Sequence, residues 1–192
     1  FRNVSYQYPQ SEKDTITNIN FKLEPGKTVA IIGGIGSGKS TILNLIPRLQ
    51  DPSAGEILMN GENIKNFKLK TLRDRICLTP QKAHLFHGTV KSNMTLIDAN
   101  ASDEEIKEAL DKASVNFING LDDEVFQDGS NFSGGQKQRL SIARSLLKNA
   151  DFYLFDDCFS ALDMNTEKAI RNNLKELKDS AILIVSQRIS TI

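Results

Sequence analysis

The chain has 192 residues, and 24 Lys and Arg balance 24 Asp and Glu to a formal net charge of zero. Apolar residues make up 39%, which excludes the low-hydrophobicity, high-charge composition of disordered chains, and the absence of excess positive charge excludes a globally basic nucleic-acid binder. A chain of this length predicts one domain with subdomains. No apolar run approaches the roughly 20 residues that a membrane-spanning helix needs, and Phe1–Gln10 lacks the apolar stretch of a signal peptide. The two cysteines, Cys77 and Cys158, predict reduced thiols rather than a disulfide scaffold.

Phe1–Tyr8 alternates and is rich in aromatic and β-branched residues, which predicts a strand, and Pro9–Lys13 predicts a polar turn. Thr15–Leu23 predicts a second strand, closed by the turn Glu24–Lys27. Thr28–Ile32 is a short continuous apolar run, the pattern of a strand buried on both faces. A glycine-rich loop, Gly33–Gly38, leads into helical spacing over Lys39–Leu49, with Ile42, Leu45, Ile46 and Leu49 on one face. Asp51-Pro52-Ser53 ends that helix. Gly55–Met59 predicts a strand turned at Asn60-Gly61, and Arg75–Thr79 another, ending at Pro80. The stretch from Gln81 to Phe132 is polar and mostly helical. Its clearest helix starts at Ser102, which forms a capping box with Glu105 and is followed by Ile106, Ala109, Leu110 and Ala113 on one face. A helix is expected from Gln136 to about Lys148, a buried strand over Phe152–Phe155 ending at Asp156-Asp157, a helix over Thr166–Leu177, and a last strand over Ala181–Val185. Short apolar strands alternating with helices imply an α/β fold, a parallel sheet covered on both faces.

Gly33-Gly34-Ile35-Gly36-Ser37-Gly38-Lys39-Ser40 matches G-x-x-x-x-G-K-[ST], placed as that motif requires between a strand and a helix. Glycines let the backbone turn successive N–H groups toward phosphate oxygens, and the following helix N-terminus adds partial positive charge. Lys39 is expected to reach the β- and γ-phosphates and Ser40 to ligate Mg²⁺. Asp156 closes an apolar strand, where a phosphate-loop protein places the carboxylate that completes the magnesium shell.

Ser133-Gly134-Gly135-Gln136 follows the phosphate loop by about a hundred residues and directly precedes a helix. With it the chain resembles, over nearly its whole length, the ATP-binding cassette family. Tyr8, before Pro9, matches the family's adenine-stacking aromatic. Gln81 matches the glutamine that joins magnesium to the transmembrane interface, and Ser160-Ala161-Leu162-Asp163 matches the D-loop. The wording from Gln81 to Val90 resembles the exporter subfamily. The resemblance implies a P-loop NTPase (RecA-like) core over residues 1–80 and 134–192, carrying an antiparallel β subdomain. It implies a helical subdomain insert over 81–133 that leads to the signature. ATP and Mg²⁺ are the implied cofactors. The implied partners are a second nucleotide-binding domain, arranged head to tail, and transmembrane domains of the same transporter, at the cytoplasmic face of a membrane; no nucleic acid is expected. The nucleotide contacts carried over are Tyr8, Gly33, Gly34, Ile35, Gly36, Ser37, Gly38, Lys39, Ser40, Thr41, Ser133, Gly134, Gly135, Gln136 and Asp163. The metal ligands are Ser40, Gln81 and Asp156, and the catalytic positions Asp157, Gln187 and Gln81.

Two positions depart from the family. Asp157 stands where the family has the glutamate that orients the attacking water, and Gln187 stands where it has a histidine that contacts the γ-phosphate. Both changes fall on hydrolysis and spare binding, so the chain resembles the degenerate half of a heterodimeric exporter; an active homodimer that tolerates both is the alternative. Phe132 replaces the usual Leu before the signature, and Gln127–Ser130 matches the cross-talk loop only loosely. Phe86 and the segment after Gln81 are expected to form an exposed dock for a transporter's cytoplasmic helix. Lys137, Arg139 and Arg144 read as a solvated helix face or an intersubunit contact rather than a nucleic-acid strip. His84 and His87 read as loop histidines rather than zinc ligands, and Cys158 as a small core residue. A soluble cassette ATPase of the DNA-repair kind is disfavoured because the insert is too compact for its long coiled coil. A GTPase is disfavoured because no Asn-Lys-x-Asp guanine reader is present. The chain starts at Phe1 and stops at Ile192, where exporter cassettes continue with further strands and a helix, so its C-terminal end reads as truncated.

Overall fold

The computed structural model describes residues 1–188. In chain order the elements are β1 (Arg2–Tyr6), β2 (Ile16–Ile19), β3 (Thr28–Ile32), α1 (Lys39–Leu45), β4 (Ala54–Glu56), β5 (Leu58–Met59) and β6 (Glu62–Asn63). There follow α2 (Leu69–Asp74), β7 (Ile76–Thr79), β8 (Gly88–Thr89), α3 (Val90–Met94), α4 (Asp103–Lys112) and β9 (Glu124–Val125). The chain then forms α5 (Gly134–Leu147), β10 (Phe152–Asp156), α6 (Met164–Leu174) and β11 (Ala181–Ser186). No helix among the described residues is long and apolar enough to cross a membrane.

The chain divides into two compact units. The first joins Phe1–Leu78, Ala150–Asp156 and the stretch from Ser180 onward. It is a mixed α/β unit built on two larger sheets and the two-stranded pair β5–β6. One is antiparallel, ordered β2–β1–β4, with Val4 opposite Ile19 and Tyr6 opposite Ile16. The other is ordered β3–β11–β10–β7, and β11 pairs in parallel with both β3 and β10. Val4, Leu43, Leu45, Leu72, Leu154, Leu183 and Val185 form its fully buried centre. β11 lies inside the sheet and every one of its residues is buried. β3, with an equally apolar sequence, is only partly buried, and Thr28 and Ala30 are exposed. It is the end strand of its sheet, so the expectation of burial on both faces does not hold for it.

Local chemistry explains the other departures. β2 stops at Ile19 because the Asn20 side chain, not a ladder carbonyl, accepts the Asn3 N–H at 2.8 Å. Helix α1 ends at Leu45 rather than Leu49, because Pro47 has no N–H to continue the ladder. Arg48 then turns to φ 51° and Leu49 is left 55% exposed. The strand expected over Gly55–Met59 is split into β4 and β5. The turn Asn60-Gly61 has φ of 53° and 85°, the two positive values of a type I′ hairpin.

The second unit joins Thr79–Asn149 and Asp157–Asp179. It therefore groups α5 and α6 with the helical insert, a wider division than residues 81–133. Met94, Ile106, Leu140, Ile142 and Ile170 are buried in it. Ser102 and Glu105 form their capping box. The strand pair β8–β9 was not anticipated, since two residues a side give no periodicity to read. Helix α5 begins two residues earlier than Gln136, because Ser133 caps the N–H of Gln136 and the Gln136 side chain caps Ser133 in return. Helix α6 starts at Met164, capped by Asp163, and ends at Leu174.

Candidate functional site: a phosphate loop and its neighbours

The loop between β3 and α1 wraps around the Lys39 side chain. The ammonium group donates to the carbonyls of Gly33 at 2.7 Å and Gly34 at 2.6 Å, and lies 3.3 Å from the Ser37 hydroxyl. Only 8% of Lys39 is exposed, so its charge is held at a fixed point inside the turn. Ile35, at the tip, is 89% exposed. Gly38 precedes the helix with φ 85°, and a Cβ there would lie 2.5 Å from Ile16 Cγ2 and 3.0 Å from the Thr15 carbonyl. Replacing Gly38 with Ala should therefore cost at least the left-handed penalty of about 1–2 kcal/mol, with further loss from the overlap. Urea unfolding of wild type and variant measures it.

The first turn of α1 and the end of β10 bring the oxygen groups to the site. The Ser40 hydroxyl donates to Asp156 Oδ1 at 2.9 Å, across 116 residues of sequence. Asp156 is delivered there because β10 ends beside α1 in the same unit. The Tyr8 hydroxyl lies 3.1 Å from the Thr41 hydroxyl, and its ring stands edge-on to Tyr6 with centroids 4.9 Å apart. Tyr8 is thus fixed at both ends while 37% of it remains exposed. The structure brings together Gly33–Lys39 as a cradle, Ser40 with Asp156, and Tyr8 with Thr41.

Within the second unit Gln81 and Asp157 are brought together. The Gln81 amide donates to Asp157 Oδ2 at 3.2 Å. Asp157 is buried and holds φ 44°, in the left-handed region that Asp tolerates better than most residues. Its carbonyl accepts from the Ser160 hydroxyl at 2.7 Å, which fixes the turn that leads to Asp163.

A family model described as "ABC transporter" matches residues 16–160. The chain belongs to the ABC transporter family. It is 40% identical over 198 residues to the ATP-dependent lipid A-core flippase of Photobacterium profundum, with all of this chain and 34% of that protein covered. A Staphylococcus aureus protein, whose name is that of a multidrug export ATP-binding/permease protein, is 46% identical over 195 residues, with 98% of this chain and 34% of that protein covered. The chain thus spans about a third of the length of these relatives. Among solved structures, a bacterial Atm1-family ABC exporter with ATP bound superposes with a TM-score of 0.92 at 35% identity, over all of this chain and 35% of that one. The fold is accordingly that of an ABC P-loop NTPase, and the chain is a nucleotide-binding domain of the exporter kind.

Ser133–Gln136, expected as the signature, opens α5. Ser133 caps the helix, Gly134 and Gln136 lie in its first turn, and a Cβ on Gly135 would sit 3.0 Å from the Ala161 carbonyl. Phe132, at the position of the usual Leu, stacks edge-on against Phe117 at 5.7 Å, and the Arg139 guanidinium lies over the other ring at 4.6 Å from the Phe117 centroid. The larger side chain is therefore packed, with burial drawing the Arg139 pKa below its ordinary value. Asp163 accepts from the N–H groups of Asn165 and Thr166, and hydrogen bonding to Thr166 holds its carboxyl below the ordinary range. That depressed value means the cap's contribution to α6 is present above the ordinary carboxylate range and is lost as pH falls through the lowered pKa. Gln187 follows β11 and is exposed. Phe86 is 59% exposed.

Sequence reasoning missed the side chains that brace this domain. Lys137, Arg139 and Arg144 do not form a merely solvated face. Lys137 donates to the Asp128 carbonyl at 3.0 Å, Arg139 to the Ser114 carbonyl at 2.8 Å and Arg144 to the His84 carbonyl at 2.9 Å. No local pattern announces such long-range bonds. The Ser133/Gln136 capping box was missed as well, although its spacing carries the signal. Cys77 and Cys158 are both free thiols and both buried.

Proposed function

We propose that this chain is the nucleotide-binding cassette of a membrane exporter, that it holds MgATP between its phosphate loop and the signature segment of a second cassette, and that its own hydrolytic site is weakened. The observation that carries the reading is the cradle around Lys39 joined to the Ser40–Asp156 pair. These residues fit the group. A fixed ammonium and a glycine-built turn suit phosphate oxygens, and the Ser40 hydroxyl with the Asp156 carboxylate supplies the oxygen donors that magnesium takes.

Bound magnesium would supply neutralisation of the charge that develops on the phosphates. Lys39 exchanges its carbonyl partners for phosphate oxygens. Ser40 and Asp156 would hold the ion; Gln81 is the further ligand that the family resemblance implies. The Tyr8 ring, oriented by its bond to Thr41, stacks on adenine. Asp157 orients the attacking water from a side chain one methylene shorter than glutamate. Gln187 donates a neutral hydrogen bond where an imidazolium could carry charge. The closed pair of cassettes is favoured because its affinity for ATP exceeds that of the open pair. Phe86 and its neighbours form the dock for a transmembrane helix at the cytoplasmic face.

Asp157 and Gln187 together favour a heterodimer in which this chain mainly holds ATP while its intact signature completes the partner's competent site. Cross-linking tests the arrangement. With Cys introduced by Gly34→Cys here and at the partner's signature serine, a short bis-maleimide should join the two chains in the full-length transporter only when MgATP is present. Equal cross-linking without nucleotide, or none with it, would contradict the head-to-tail site.

A further inference from the structure

The segment from Pro80 to His87 runs between β7 and β8 without regular structure. Backbone groups in such a segment need partners from elsewhere, and here side chains supply them. Gln138, only 3% exposed, donates its amide to the Pro80 carbonyl at 3.3 Å. Arg144 donates to the His84 carbonyl at 2.9 Å. The buried Asn93 holds Phe86 twice, accepting from its N–H and donating to its carbonyl, each at 2.8 Å. Two of these three braces come from α5, the 14-residue helix whose first turn is the signature. They fall one residue before and three residues after Gln81, which in turn donates to Asp157.

We propose that Gln138 and Arg144 are positioning residues for Gln81: by holding the carbonyls on either side of it to the signature helix, they set where its amide points and make it move with that helix. The inference rests on the reading of Gln81 and Asp157 as parts of the ATP site. A helix of this length is a rod of about 20 Å, so a displacement felt at Ser133–Gln136 is delivered to the Gln81 segment without a change in the helix itself. Arg144 suits the task because its fork of donors can keep one bond to a carbonyl while the segment shifts.

Hydrogen exchange of the nucleotide-free, full-length transporter tests the bracing. Arg144→Ala and Gln138→Leu should each speed exchange of the amides at 81–87 by about 10-fold, the loss expected for one hydrogen bond of this kind, while α1 exchanges as in wild type. Arg144→Lys, which keeps one donor, should restore most of the protection; it also serves if the alanine variant fails to fold. Unchanged exchange at 81–87, or a lysine variant as fast as the alanine one, would overturn the proposal. A double-mutant cycle on MgATP affinity supplies the second readout. If Arg144 acts through Gln81, Arg144→Ala combined with Gln81→Ala should bind no more weakly than Gln81→Ala alone. Additive losses would make Arg144 a general structural residue and sink the assignment. Exchange that behaves as expected in a transporter that binds no MgATP would leave the bracing intact and fault the ATP-site reading instead.

Discussion

Changing Asp157 to Glu together with Gln187 to His is expected to raise ATP turnover at this chain's own site by about 10²-fold, the usual effect of correcting a catalytic group misplaced by about 1 Å. The added methylene extends the carboxylate by about 1.5 Å. Asp157 is buried and held by the Gln81 amide at 3.2 Å, so the shorter arm cannot be offset by free movement of the side chain. The histidine adds a group that can carry charge near pH 7. The backbone favours Asp here: at φ 44° a glutamate pays a left-handed penalty of about 1–2 kcal/mol. The double variant should therefore melt slightly below wild type while turning over faster. Phosphate release, with the partner cassette's phosphate loop disabled, measures the rate from this site alone. A wild type already at the rate of the double variant would make Asp157 and Gln187 working substitutes.

Lys39→Ala is expected to weaken MgATP binding at least about 30-fold, because truncating one partner of a desolvated charge pair costs about 2–5 kcal/mol. The side chain is 8% exposed and its ammonium is fixed by two carbonyls and a hydroxyl. It therefore meets a phosphate already oriented. Equilibrium titration of the variant against wild type gives the ratio.

The phosphate loop was legible because its chemistry is local. A short apolar run, six residues of loop and a Lys-Ser pair opening a helix leave few other structures available. The Ser102–Glu105 box was legible for the same reason. The run Phe152–Phe155 read as a buried strand, and Tyr153, Leu154 and Phe155 are buried, but the same reasoning failed for β3, because position in the sheet rather than sequence decides whether an apolar strand is covered. Pro47 shows the cost of weighing periodicity above a missing N–H: Leu49 fits the helical stripe and is exposed. The Ser40–Asp156 and Gln81–Asp157 bonds, each within one unit, span 116 and 76 residues. Family resemblance suggested Ser40, Gln81 and Asp156 as magnesium ligands, but no local pattern announces the geometry of either pair. The bonds from Gln138 and Arg144 to main-chain carbonyls carry no sequence signal, since a carbonyl is offered by every residue.

The account is tested most directly by equilibrium binding of MgATP measured beside steady-state hydrolysis on one preparation of the full-length transporter whose partner cassette cannot bind nucleotide. Wild type should bind saturably with little turnover, Lys39→Ala should bind at least about 30-fold more weakly, and turnover should rise in the Asp157→Glu, Gln187→His double variant. Binding unchanged by Lys39→Ala would contradict the assignment of the phosphate loop, and turnover in wild type equal to that of the double variant would contradict a weakened site.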